Sequence, residues 1–220
     1  MIKVKIADIN IDIKTDKDLS TFFNNYLRND NEKSDITLTD NNDKYHLDIL
    51  DELASNLAYF KGFLMHGASI SYKNKGYVFI APPGTGKSTH IKLWLKHLKD
   101  VKVINGDKPI IRIIKNNINI YGNPWNGKEG LGNNISLPLD SIILIQRSNI
   151  NKMYEIDKKD YIQEIFKQVY LPDNNLLNET FDLLNYVFEN TKLYKLECTK
   201  DDEAFYTSYK TLLGVDYESK

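Results

Sequence analysis

The sequence predicts an α/β fold: a mixed central sheet with flanking helices and a small α+β section at its N-terminal side. Three observations predict it. Tyr77 to Ile80 is a short run of aromatic and β-branched residues, as a buried strand needs, and it runs into Pro82, Pro83, Gly84 and Gly86, which exclude helix and strand alike. Beyond them the period changes, because Ile91, Trp94, Leu95 and Leu98 fall at i, i+3, i+4 and i+7, one face of a helix. Further short apolar runs then alternate with longer amphipathic stretches, which reads as one sheet with helices on its faces. The predicted division is an N-terminal section over residues 1–49 packed on a core over residues 50–220.

Taken in order, Ile2, Val4 and Ile6, then Ile9, Ile11 and Ile13, alternate with polar residues and predict two strands broken near Asp8. Leu19, Phe22, Phe23 and Tyr26 have helical spacing, with acids at the start, and predict a helix over Asp16 to Tyr26. Ile36 to Thr39 and Tyr45 to Leu50 read as paired strands between polar turn clusters. Leu50 to Phe60 reads as a helix. Ala68, Ile70 and Tyr72 alternate with Ser69, Ser71 and Lys73 as in a half-exposed strand, and Asn74 to Gly76 turns the chain into the Tyr77 strand. His66 thus starts the strand beside the one that ends at the glycine-rich loop.

After the loop helix, Val101 to Ile104 is a strand, and Pro109 to Ile114 with Ile118 to Tyr121 form a hairpin around Asn116 and Asn117. Gly122 to Asn134 holds four glycines and a proline and is neither helix nor strand. Ser141 to Ile145 is a buried strand ending at Gln146 and Arg147. Asp160 to Val169 and Asn174 to Asn190 are amphipathic helices, the second with Leu177, Phe181, Leu184 and Phe188 on one face. Leu193 to Leu196 is a last strand, and Asp201 to Leu213 a closing helix with Asp201, Asp202 and Glu203 at its start.

A glycine-rich loop closing onto a helix N-terminus is a phosphate cradle. Its N–H groups converge, and glycine lets the backbone approach phosphate oxygens. Pro83, Gly84, Thr85, Gly86, Lys87, Ser88 and Thr89 are therefore the candidate nucleotide-binding residues. Lys87 suits the β- and γ-phosphates of ATP, and the Ser88 hydroxyl suits Mg²⁺. Ala81 stands where the strict motif has its first glycine; it lies at the strand end, outside the cradle. Asp107, just past the next strand, is placed to hold magnesium or to serve as a catalytic carboxylate; Asn-Gly-Asp is also good turn chemistry.

Bulk composition narrows the partners. Among 220 residues, 29 Lys and Arg against 30 Asp and Glu leave a net charge of −1, with no basic excess for nucleic acid or an anionic membrane. The single cysteine, Cys198, can form no internal disulfide and reads as structural. No apolar run resembles a secretion leader or a membrane span, so the expectation is a cytoplasmic protein. Nothing here argues for or against a homo-oligomer.

The order of parts resembles the HPr serine kinase/phosphorylase family and its short peptide-kinase relatives, which share a core with phosphoenolpyruvate carboxykinase. The residues that carry the resemblance are Met65-His66-Gly67, Ala81 to Ser88, Gly106-Asp107 and Glu129-Gly130-Leu131-Gly132, with His66 and Lys87 21 residues apart. They span Leu50 to Arg147, and Tyr194 to Leu213 is similar to the end of the short relatives. The resemblance implies a P-loop kinase core, with His66, Lys87 and Asp107 catalytic, Ser88, Asp107 and Glu129 around magnesium, and His66 positioning Asp107 or touching the transferring phosphate. Two departures matter. The family's aspartate pair is here Gly106-Asp107. Its Glu-x-Arg-Gly-Leu-Gly is here Gly127-Lys128-Glu129-Gly130-Leu131-Gly132, which lacks the arginine. Since that loop serves the reverse reaction in the family, the implied activity is kinase and not phosphorylase.

Lys128 and Arg147 are further cations that could meet phosphate or simply be solvated, and Trp125 either packs a substrate or fills the loop's underside. Three functions stay open at this point: an ATP- and Mg²⁺-dependent kinase of a serine-type hydroxyl in a peptide or small protein, a kinase of a small hydroxyl metabolite such as a free amino acid, and a nucleotide-binding module without turnover.

Overall fold

The computed structural model describes residues 1–29, 32–41, 43 and 46–218. The N-terminal sheet has three strands in the order β1-β2-β3: β1 (Ile2–Ile6), β2 (Ile9–Lys14) and β3 (Ile36–Thr39). β1 and β2 pair antiparallel through a two-residue turn in which Ala7 and Asp8 both take positive φ, while β2 and β3 run parallel. Helix α1 (Leu47–Asn56) covers this sheet. Ile49, Leu50 and Leu53 join Ile11, Ile13 and Leu38 in one cluster of fully buried side chains.

The remaining strands form one mixed ten-stranded sheet. They are β4 (Gly62–Met65), β5 (Gly67–Tyr72), β6 (Lys75–Ile80), β7 (Lys102–Asn105), β8 (Ile110–Ile114), β9 (Asn117–Tyr121), β10 (Ser136–Arg147), β11 (Lys152–Glu155), β12 (Val169–Tyr170) and β13 (Lys192–Cys198). β10 is the hinge of this sheet. Its first residues pair antiparallel with β9, and its later ones lie parallel to both β6 and β13. β5 and then β7 extend the sheet antiparallel beyond β6.

The helices are α2 (Lys87–His97), α3 (Lys158–Phe166), α4 (Leu177–Asn190) and α5 (Asp202–Leu213). β6 shows why both faces are covered. Tyr77 and Phe79 point to one side and pack with Trp94 of α2 and Phe205 of α5, whereas Val78 and Ile80 point to the other and pack with Leu184 and Val187 of α4. Trp94 is fully buried, edge-on to Phe205 with centroids 5.3 Å apart and stacked on Tyr77 at 6.2 Å.

Several expectations needed correction. Asp16 to Tyr26 is a series of turns closed by one 3-10 turn, Asn24–Tyr26, and not a helix. The spacing reported burial of Leu19, Phe23 and Tyr26, but Thr15 Oγ1 accepts from Lys17 N and Asp18 Oδ1 from Ser20 N, offering the backbone local partners in place of helical ones. Residues 47–50 open α1 rather than a strand, and Tyr45 lies outside the described residues. β5 is buried at all six positions, because β6 and β7 flank it and both faces are covered; Ser69 and Ser71 are satisfied by donating to the carbonyls of Asn105 and Lys102. Leu95, Leu177 and Phe181 face outward, at 37%, 37% and 40% exposure, so the apolar stripes of α2 and α4 are narrower than their spacing implied. Finally, α3 stops at Phe166, and Val169 joins β12 instead.

Replacing Trp94 by Ala removes the side chain that locks α2 onto both β6 and α5. The expected loss is about 3–5 kcal/mol, the usual range for emptying such a site, read as a lower denaturant midpoint with an unchanged slope.

Candidate functional site

The phosphate-loop segment leaves the end of β6, enters α2 at Lys87 and borders a cavity of about 460 Å³. Gly84 and Gly86 hold φ of 76° and 128°, conformations that other residues adopt only under strain. A methyl group added at either would meet nothing within 4 Å, so the glycines serve backbone shape and leave free space in front of the loop. Gly86 is the N-cap of α2 and supplies no side-chain hydrogen bond. The first turn of α2 therefore presents amide donors and the positive end of the helix dipole to the cavity.

Lys87 is folded under the loop. Its Nζ donates to the Ala81 carbonyl at 2.7 Å, and the side chain is buried. Burial pulls its pKa down, and the negative charge of Asp107 partly opposes this. The cation and the carboxylate thus sense each other across the cavity. Arg147, at the end of β10, donates from Nε to the Thr85 carbonyl at 3.1 Å and from its terminal nitrogen to the Gly84 carbonyl. It ties the loop's carbonyls away from the cradle while staying exposed to solvent.

Asp107 follows β7, which lies next to β5; β5 in turn starts right after His66. That adjacency brings His66 Nε2 within 3.4 Å of Asp107 Oδ1. Lys108 Nζ holds the other oxygen at 2.7 Å. The hydrogen bond from His66 is the largest influence lowering the carboxyl pKa, and the bond and charge of Lys108 add to it against a desolvation cost, so the group is held down at about 2. Pro83, Gly84, Gly86, Lys87, Ser88 and Thr89 line the same cavity as His66, Asp107 and Glu129. Thr85 does not line this cavity; it faces a second one behind the loop. Glu129 carries a prior engagement, an ion pair with Lys92 at 2.9 Å, and Lys128 is exposed at the rim.

Spacing did not point to Asn105. It is fully buried at the end of β7. Its Oδ1 accepts from the amides of Asp107 at 2.8 Å and Lys108 at 2.7 Å, while its Nδ2 faces acceptors of Asn123, Trp125 and Asn126 at 3.1 to 3.3 Å. One side chain therefore shapes the Asp107 turn and holds the 122–134 loop against it. The signal was available in outline, since an Asn directly before Gly-Asp at a strand end is a turn former. Close packing seals the contact. A methyl group at Gly127 would lie 2.9 Å from Asp107 Cβ, and one at Gly106 2.9 Å from the Asn126 carbonyl.

Trp125 is buried away from the cavity. Its Nε1 donates to the His46 carbonyl at 3.1 Å, and Phe22 and Phe23 meet its ring edge-on, so it anchors the loop in the N-terminal core and is no substrate platform. Cys198 is buried and its thiol is pushed up to about 11, chiefly by burial, which disfavours the thiolate. No helix among the described residues is long and apolar enough to cross a membrane.

No protein-family model and no curated protein matches the sequence. A solved structure of the Hpr(Ser) kinase/phosphatase from Coxiella burnetii matches at 10% identity with a TM-score of 0.31, covering 58% of this chain and 92% of that one. A likeness that loose transfers no role to any residue here.

Two outcomes follow for the Asp107 turn. Asn105→Ala orphans buried donors and is expected to cost about 1–3 kcal/mol, with faster amide exchange over residues 122–134. Asp107 binds its proton more weakly in the folded chain than in the unfolded one, so its ionisation stabilises the fold above its ordinary 3.8, and that contribution is lost as the pH falls toward about 2. Asp107→Asn is therefore less stable than the unaltered chain near neutrality, and the gap in denaturant midpoint closes across that acid window.

Proposed function

We propose that this chain is an ATP- and Mg²⁺-dependent kinase that transfers the γ-phosphate to a serine-type hydroxyl of a peptide or small protein. The observation that carries the reading is the meeting, in one cavity, of an uncapped helix N-terminus, Lys87, Ser88 and the His66–Asp107 pair. Phosphoryl transfer asks for positioning and charge neutralisation more than for covalent chemistry, and these groups supply both. The loop amides bind phosphate oxygens, and Lys87 exchanges the Ala81 carbonyl for the far stronger negative charge of the phosphates.

The donor set fits magnesium. That ion takes hard oxygen ligands and, on a nucleotide, needs only one or two from protein, the others coming from phosphate and water. Ser88 offers one; Asp107, whose second oxygen is on Lys108, would offer another only by giving up the role of proton acceptor, and Glu129 only on leaving Lys92. The same economy accounts for the lack, among the described residues, of any group of three or more His, Cys, Asp or Glu able to hold a metal. When bound, the ion would neutralise charge on the transferring phosphate.

Asp107, ionised at neutral pH and held by His66, orients the acceptor hydroxyl and takes up its proton on the oxygen that Lys108 releases, as the new oxygen–phosphorus bond forms and the bond from the γ-phosphorus to the β-phosphate oxygen breaks to release ADP. Because the carboxylate is a weak base, the proton moves late, when the hydroxyl has already become acidic. That suits the loose transition state of this chemistry.

The test is incubation with Mg·ATP, a panel of serine-containing peptides and a set of free hydroxy amino acids, followed by mass spectrometry. A phosphopeptide is the expected product, and Lys87→Ala lowers its rate of formation by at least ~100-fold. A phosphorylated free amino acid would reassign the acceptor to a metabolite. Tight nucleotide binding with no phosphorylated product would overturn the kinase reading.

A further inference from the structure

Behind the phosphate loop, on the side away from Asp107, lies a second hollow of about 400 Å³. It falls within the range of about 300–1,000 Å³ typical of small-ligand sites. Gly86 and Thr89 border both hollows, so the phosphate cradle is their common wall, whereas His66 and Asp107 border only the front one. The rear walls come from the segments that follow β10 and β13, two parallel strands whose ends lie together. Crevices beyond the carboxyl ends of parallel strands are where such sheets take ligands.

We propose that this rear hollow takes the nucleoside end of the nucleotide, its base and ribose, while the acceptor enters from the front. The inference rests on the nucleotide reading above and extends it to the half of the ligand that the loop does not hold. In-line transfer sends the attacking and leaving oxygens to opposite sides of the γ-phosphorus. With the acceptor hydroxyl at Asp107, the remaining phosphates and the nucleoside extend away from Asp107, and the rear hollow is the one that shares the cradle residues Gly86 and Thr89 without bordering Asp107.

Its lining suits a flat heterocycle with a polar rim. Leu93 and Ile145 give apolar surface, and Asn149 and Lys200 stand at the solvent side. Arg147 borders the hollow too, but its guanidinium is committed to the carbonyls of Gly84 and Thr85. The inner wall of the hollow is polar as well. His90, one turn into α2, is 2% exposed and lines this hollow. Its Nε2 is engaged by Ser208 and Trp94 at 3.1 and 3.2 Å, but Nδ1 is buried with no partner among the described residues. Buried polar atoms left in that state are uncommon and call for a partner. Burial holds the ring neutral, with its pKa pushed down to about 3, so this wall brings no positive charge of its own to the hollow.

The experiment compares binding of Mg·ATP and Mg·tripolyphosphate, which lacks a nucleoside, by calorimetry. It uses the unaltered chain, Lys87→Ala, and two variants that fill the rear hollow from opposite walls, Leu93→Trp and Asn149→Trp. Asn149 is exposed, so its replacement leaves the core intact even if Leu93→Trp disturbs α2. The expected result is that each filling variant weakens Mg·ATP by about tenfold or more while tripolyphosphate stays within about twofold, and that Lys87→Ala weakens both. Filling variants that bind Mg·ATP as tightly as the unaltered chain overturn the rear-hollow assignment and leave the phosphate site standing. So does an unaltered chain that binds tripolyphosphate as tightly as ATP. If the unaltered chain binds neither, the underlying nucleotide reading fails instead.

Discussion

The structure depends on a helix N-terminus left without a cap. A Ser, Thr, Asp or Asn side chain at the N-cap can satisfy a helix's first amides, as Asp157 does for α3, but the N-cap of α2 is Gly86, which has none to offer. The cost of those uncapped donors is offset by the burial of the opposite end of the same helix. Trp94 sits between Tyr77 and Phe205 and holds α2 on the sheet. The amides stay aimed into open space because packing elsewhere fixes the axis. Arg147 adds to this by holding two loop carbonyls on the outer side.

Around that fixed end the site is assembled by sheet adjacency. Asp107 and His66 lie far apart in the chain and meet because β7 pairs with β5. Asn105 then converts a strand end into a rigid turn and fastens the 122–134 loop to it. The first fifty residues act on the same structure through Trp125, whose ring is locked between Phe22, Phe23 and the backbone of His46. The small N-terminal sheet thus does more than shield apolar surface, since it steadies one wall of the cavity from behind.

How much of this was legible depended on whether the signal was local. The strand–loop–helix segment at residues 76–98 declared itself through a change of period and two glycines at required φ values. The hairpin at residues 110–121 did so through its Asn pair. Where polar side chains compete with the backbone, as at Thr15 and Asp18, helical spacing of Leu19 and Phe23 signalled burial without a helix. β5 looked half-exposed because serines alternate in it, yet partners across the sheet satisfy them, and no local pattern reveals a partner 36 positions away. Asn105 and Arg147 were hard to see for the same reason, since their roles lie in bonds to carbonyls and amides brought near by the fold. The nearness of His66 and Asp107 to the phosphate loop was expected from strand order together with the family resemblance, whereas the engagement of Glu129 by Lys92 was not.

The central claim is that the hollow before α2 holds a triphosphate between the loop amides and Asp107. A crystal structure with a non-hydrolysable ATP analogue and Mg²⁺ tests it most directly. The account predicts phosphates seated on the amides from Gly84 to Thr89, Lys87 Nζ moved from the Ala81 carbonyl onto a phosphate oxygen, and the terminal phosphate facing Asp107. A nucleotide bound elsewhere, with Lys87 still tied to Ala81, would contradict it.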